Sequence, residues 1–190
     1  SNYFTDKDKD TSYDESKAST VKLSGSSASV SGDGVAVSGS TVTISKAGTY
    51  VISGESDGVQ IKVEAGESDD VHIILKGVTM TNTNAPISAT KAGHVYLTLA
   101  EGTTNTLSDS SSNNDEDADA VIFSKGDLTI NGSGTLNIDA KKNNGIKAND
   151  TLHITGGTYK ITAVGDAFKV KDELNNTGTT MNNKKKKKKR

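Results

Sequence analysis

Val71-His72-Ile73-Ile74-Leu75 and Val95-Tyr96-Leu97-Thr98-Leu99 are two apolar-alternating stretches 24 residues apart. Leu128-Thr129-Ile130 and Leu152-His153-Ile154 repeat the relation at the same offset of 24. Leu136-Asn137-Ile138 matches Tyr159-Lys160-Ile161 at 23, Ile122 matches Ile146 at 24, and Ile146 matches Phe168 at 22. A period of this size marks a solenoid, in which each repeat buries its apolar side only by stacking on its neighbours. Alternation within each stretch directs one side of the strand inward. Each period holds about three such strands, which predicts an all-β, three-sided parallel β-helix.

Composition agrees with a narrow core. Hydrophobic residues make up 32% of the 190 residues and aromatics 4%. That is thin for a thick globular interior but enough for stacked rows of β-branched side chains. The single proline, Pro86, leaves strand pairing almost uninterrupted. Cysteine is absent, which removes disulfides and thiolate–metal sites and is compatible with a secreted protein. No apolar run of membrane-spanning length and no signal peptide is present, so an exported chain would be in its mature form.

The net charge of −2 hides an asymmetry. Residues 184–190 are six lysines and the only arginine; the rest carries 15 lysines against 24 carboxylates, a charge of −9. An acidic body argues against nucleic-acid binding. The organisation expected is an extended acidic arm over 1–20, a β-rich N-terminal cap over 21–56, coils over 57–174, and a polar linker with a basic tail over 175–190. One period is stretched: Ile87 to Ile122 spans 35 residues. The excess is the acidic loop around 108–119, and solenoid insertions go to turns, often on the functional face.

Stacking turns sequence offsets into columns with levels about 4.8 Å apart. One column precedes the third strand of each coil: Asp57, Asn84, Asp119, Asn144 and Asp166. Two readings are open. Asx side chains can bond their own turns, or stacked carboxylates can hold calcium, a hard cation taking six to eight oxygens. With the loop residues Asp109, Asp115 and Asp117, the candidate calcium ligands are Asp119, Asp166 and Asn144. The loop lacks the spacing and glycine of an EF-hand. Beside this column, Lys125, Lys147, Lys169 and Lys171 face outward, where a polyanion running along the solenoid could meet them in series. The competing reading is ordinary solubilisation. Tyr96 could stack on a sugar ring, whereas Tyr159 is in an inward register.

Catalytic signals are weak. His72 and His153 lie outward without a nucleophile beside them, and His94 begins a strand. A lyase needs a base and a cation to neutralise the neighbouring carboxylate; Lys147 or Lys169 beside calcium would be the only candidates. A non-enzyme is expected.

Phe4-Thr5-Asp6-Lys7-Asp8, Ser12-Tyr13-Asp14-Glu15-Ser16, Thr43-Ile44-Ser45-Lys46-Ala47-Gly48-Thr49-Tyr50, Ser124-Lys125-Gly126-Asp127-Leu128-Thr129-Ile130-Asn131-Gly132 and Leu152-His153-Ile154-Thr155-Gly156-Gly157 carry a resemblance. The chain resembles a family of secreted carbohydrate-binding, polygalacturonate-binding parallel β-helix proteins related in fold to pectate lyases. The resemblance runs from about residue 3 to about 174. It implies a right-handed single-stranded parallel β-helix, bound calcium, a cell-surface or secreted location, and binding of acidic polysaccharide without lyase activity. Asn144-Gly145-Ile146 and Asp166-Ala167-Phe168 depart from the family's Asn-Asp-Gly-Ile turns. The rival reading is a surface filament, assembled head to tail through the open C-terminal coil or by strand addition of the N-terminal arm. An active lyase is the third.

Overall fold

The computed structural model describes residues 3–187. The chain winds through three parallel stacks in a fixed order. The first face takes the opening halves of Gly48–Asp57 and Asp70–Thr81, then His94–Leu99, Asp127–Asn131, Thr151–Thr155 and Glu173–Thr177. The second takes the closing halves of the same two long strands, then Thr104–Ser108, Thr135–Ala140, Thr158–Ala163 and Thr180–Lys185. The third takes Thr41–Ile44, Gln60–Glu64, Ile87–Lys91, Ala120–Ser124, Asn144–Ala148 and Phe168–Val170. The result is an all-β, solenoid-like fold of parallel strands.

Register follows the repeats. Val71 pairs with Val95, Leu128 with Leu152, Leu136 with Tyr159, Ile122 with Ile146, and Ile146 with Phe168. Ile87 still pairs with Ile122 across the long insertion, so the extra residues leave the stack without shifting it. Like residues therefore sit on like. Ile61, Ile87, Ile122 and Ile146 form one buried row on the third face. Each such side chain contributes about 1.5–3 kcal/mol on burial. At the corner between the first two faces Gly54 has φ +96°, and a Cβ there would lie 2.4 Å from the Leu23 carbonyl oxygen. No other residue turns that corner without displacing the neighbouring coil.

The coils extend beyond 57–174 at both ends. Ser19–Gly25 already pairs in parallel with Tyr50–Ser56, and only Ser27–Ser31 and Val35–Ser38 add antiparallel hairpin partners at that end. Past residue 174, Glu173–Thr177 and Thr180–Lys185 pair onto the preceding coil. Main-chain pairing needs no apolar side chain, so the polar stretch 175–183 stacks as well as its predecessors do. Lys184 and Lys185 belong to the last strand, while residues 188–190 of the basic tail lie outside the described residues. Among the described residues no helix is long and apolar enough to cross a membrane.

The N-terminal arm is not extended. Asp6–Lys9 forms one helical turn with a capping box: the Asp8 amide donates to Thr5 Oγ1, and the Thr5 amide to Asp8 Oδ2. Asp8 is 1% exposed against the first face. Thr129 Oγ1 donates to its Oδ1 at 2.7 Å, and His153 Nδ1 lies 2.8 Å from its Oδ2. Further along, Tyr13 and Ala18 cover Val51, Ile74 and Ala100. Val51 and Ile74 stand on the outer side of their strands, and the arm keeps them from water.

Two outcomes are expected. Asn105, fully buried at a corner, accepts from the Gly77 and Val78 amides at 3.0 and 2.9 Å. Asn105→Ala should cost about 2–3 kcal/mol in urea unfolding, because both amides lose their partner in a dry site; Thr106→Ala on the exposed side should stay within about 0.5 kcal/mol. Burial alone would raise the Asp8 pKa. The Thr5 amide, Thr129 and His153 outweigh it and hold the group below its ordinary 3.8. A depressed acid stabilises the docked arm above that ordinary value and loses the effect as pH falls through the folded one. The Phe4–His153 contact, followed by NMR, should persist at pH 5 and disappear only below pH 3.8. Release at pH 6 would overturn this account.

Candidate functional site

Lysines gather at the corner where the third face turns into the first. Ser124 pairs with Ala148, and Ala148 with Val170, so the next positions, Lys125, Asn149 and Lys171, follow one another up the stack. Their backbones are pinned: the Lys125 amide donates to Ala89 O at 2.9 Å and the Lys171 amide to Ala148 O at 3.1 Å. With Lys91, Gly126 and Glu67 they line an open cleft of about 550 Å³. Lys91, Lys125 and Lys171 are exposed and make no ion pair among the described residues.

The four expected sugar-contacting lysines thus fall in two rows. Phe123, Lys147 and Lys169 are register partners, two residues out of phase with Lys125 and Lys171. Lys147 is also engaged, donating to Asp119 Oδ1 and to Asp117 O, both at 2.9 Å. Lys169 stands exposed on the third face.

The residues expected to ligate calcium do not converge on a cation. Asp119 gives one oxygen to Lys147 and the other to Asn143 Nδ2 at 2.6 Å. Asp109 is 2% exposed and accepts from the Lys141 amide and Asn113 Nδ2. Burial pushes its carboxyl up, against the lowering effect of those hydrogen bonds. Asp115 folds back on the Asp117 and Ala118 amides. Asn144 Oδ1 accepts from the Asp166 amide at 3.1 Å, leaving the Asp166 side chain exposed on the outside. Among the described residues no three His, Cys, Asp or Glu side chains are grouped as metal ligands. The donors present suit Asx turns and an ion pair better than a six- to eight-oxygen cage.

The first face holds a site that the sequence patterns did not reveal. Its outward columns are His72–Tyr96–Thr129–His153–Asn175 and Ile74–Thr98–Asn131–Thr155–Thr177. Thr129 Oγ1 donates to Asp8, so it accepts from His94 Nε2 at 2.7 Å. Thr98 Oγ1 donates to Asn131 Oδ1 at 2.5 Å, so it accepts from His72 Nε2 at 2.7 Å. Both imidazoles therefore carry the proton on Nε2, and burial lowers both pKa values, favouring the neutral ring. Tyr96 stacks on the His94 ring at 3.9 Å with Lys7 over its outer side at 4.9 Å. Its hydroxyl is pushed up to about 12 by burial and by Asp70. Tyr159 is buried in the core. His72 and His94 serve as anchors of two hydrogen-bond relays rather than as free bases. The Thr5-x-x-Asp8 capping spacing and the outward Ile74 were the only marks of this site in the sequence.

A solved structure, described as the polysaccharide lyase-like protein from C. thermocellum in a gadolinium derivative, is similar at a TM-score of 0.75 and 27% identity. The likeness covers 88% of this chain and 89% of that one. A carbohydrate-binding domain-containing protein of Acetivibrio thermocellus is 39% identical over 126 residues. Those residues are 63% of this chain but 44% of the relative, so the match spans less than half of that protein's length. The sequence profile of the carbohydrate-binding domain-containing proteins matches residues 38–188. With most of the coils inside that match, the chain belongs to the family of carbohydrate-binding domain-containing proteins.

Proposed function

We propose that this chain is a secreted or cell-surface, non-catalytic module that binds acidic polysaccharide of the pectin or polygalacturonate kind along the lysine corner. The observation that carries the reading is the run of ammonium groups without an ion pair among the described residues, Lys91, Lys125 and Lys171, lining one cleft of a body whose charge, these lysines included, is −9. A polyanion is repelled from most of that surface and attracted to one corner, which gives orientation as well as affinity. Family membership supports a carbohydrate ligand. The ammonium row is what favours an acidic one. The coil is read as right-handed, in keeping with the hand that parallel crossovers adopt.

Two observations support binding without turnover. The histidines of the first face are committed to relays or to Asp8, and Lys147 is committed to Asp119. Among the described residues no group of three His, Cys, Asp or Glu is placed to hold a cation. Calcium is treated as dispensable for binding at this corner, because none of the residues expected to ligate it lines the cleft.

In calorimetric titration the protein should bind oligogalacturonate and not a neutral glucan of equal length. Lys125→Ala/Lys171→Ala should weaken binding roughly tenfold, and raising salt from low to about 0.5 M should weaken it further. A chelator should leave the affinity unchanged, and no absorbance from unsaturated product should develop. Equal indifference to acidic and neutral glycans sinks the reading; product absorbance replaces it with a lyase.

A further inference from the structure

The face beneath the arm is built to receive a carboxylate, and the chain fills it from within. Two donors from the face meet the Asp8 carboxylate: Thr129 Oγ1 at 2.7 Å and His153 Nδ1 at 2.8 Å. Two more meet its main-chain carbonyl: Thr155 Oγ1 at 2.7 Å and Asn131 Nδ2 at 3.2 Å. The same amide reaches the Asp10 carbonyl at 3.0 Å. Thr129 and Asn131 are fully buried. All four side chains stand on strands of the stack; behind them His94 Nε2 lies 2.7 Å from Thr129 Oγ1, and Thr98 Oγ1 donates to Asn131 Oδ1. The strands of the coils thus place these side chains side by side, and it is their backbone register, set by the coils, that brings the four donors to one face.

The occupant is slight by comparison. Its helix is four residues long, and of these only Asp8 is buried. The next position of the same column, Asn175, carries a buried amide nitrogen without a partner. The lysine cleft is close by. Gly126 and Asp150 line it, and each lies three residues before Thr129 or His153 on a continuous path, about 10 Å at strand rise.

The geometry points to a second subsite on the first face, formed by Thr129, Asn131, His153 and Thr155, that accepts a hexuronate unit and that residues 4–10 occupy as an internal stand-in. This inference rests on the acidic-polysaccharide reading and names how the ligand continues past the lysines. The uronate carboxylate takes the place of the Asp8 carboxylate, and a ring or hydroxyl oxygen takes that of its carbonyl. A neutral sugar would offer Thr129 and His153 a hydroxyl oxygen in place of a carboxylate, losing the stronger charge-assisted bonds and so favouring the uronate. Tethering gives the arm a high effective concentration. A short oligomer therefore competes poorly, while a polymer already held by the lysines competes well.

Limited trypsin digestion of the full chain, read by mass spectrometry at the Lys7 and Lys9 bonds, tests this without a variant. Polygalacturonate should accelerate cleavage there at least fivefold, and a neutral glucan should not. Binding that leaves those bonds unchanged or better protected overturns the subsite while leaving the lysine cleft intact. Asp8→Ala should raise oligogalacturonate affinity about tenfold, and adding His153→Gln should cancel the gain. If the wild-type chain binds no acidic glycan, the cleft reading falls, and Asp8→Ala alone decides: His153-dependent binding upholds the subsite and no binding overturns it. A concentration-dependent dimer with exchanged arms, unaffected by polygalacturonate, would show that the groove is made for a second copy and would also overturn it.

Discussion

The main-chain register between successive coils is the constraint on which the rest depends. Side chains alternate along a strand, so a slip of one residue would turn the buried isoleucine row of the third face outward. The stack holds register even where it is most disturbed. Between Ile87 and Ile122 the chain makes a long excursion, yet the two residues remain partners. The insertion is accommodated because parallel strands are joined by whole crossovers, and a crossover can lengthen at its turn without touching the ladder. Every functional column inherits its spacing from this ladder.

Register also sets a problem that the outer surface must solve. Identical charges one level apart repel, and Lys147 and Lys169 are such neighbours on the third face. On the third face the chain answers with complementarity, Lys147 reaching back to Asp119. At the first face it answers with directionality. His72 donates to Thr98 and Thr98 to Asn131, while His94 donates to Thr129. Each group spends its proton toward the arm, so the relays end in donors and create a demand for an acceptor. Asp8 supplies that acceptor, and its burial is tolerable because both carboxylate oxygens are hydrogen-bonded.

These two solutions differ in how far they could be read from sequence. The repeats at 24, 23 and 22 residues gave the strand partners directly, because apolar alternation is a local signal. The lysine rows were legible only in part. Lys147 and Lys169 follow their inward isoleucine or phenylalanine by one residue, whereas Lys125 and Lys171 follow by three, and an outward position alone does not separate the two phases. The Asp and Asn column lies near the strand ends, Asp57 closing one strand and Asn144 opening another, but its hydrogen-bond partners depend on side-chain reach across levels, which turns Asp119 toward Lys147 and Asn143. The arm was the least legible part. Its contacts join Asp8 to Thr129 and His153, 121 and 145 residues away, and nothing in a polar stretch such as 1–20 announces partners at that distance.

The spacing of the lysine corner follows from the same electrostatics. Lys125 and Lys171 occupy alternate levels, and Asn149 takes the level between. Ammonium groups on every level would stand about 5 Å apart and repel one another when no ligand is present. Skipping one level places Lys125 and Lys171 about 10 Å apart, near the Debye length at ordinary ionic strength, which lowers the repulsion between those two, while Lys91 belongs to the level next to Lys125. A bound polyanion then meets charges it can neutralise and, between them, an amide that both donates and accepts. The corner is therefore better suited to a ligand bearing separated carboxylates and intervening hydroxyls than to a dense polyphosphate, whose charge would need the levels that Asn149 leaves neutral.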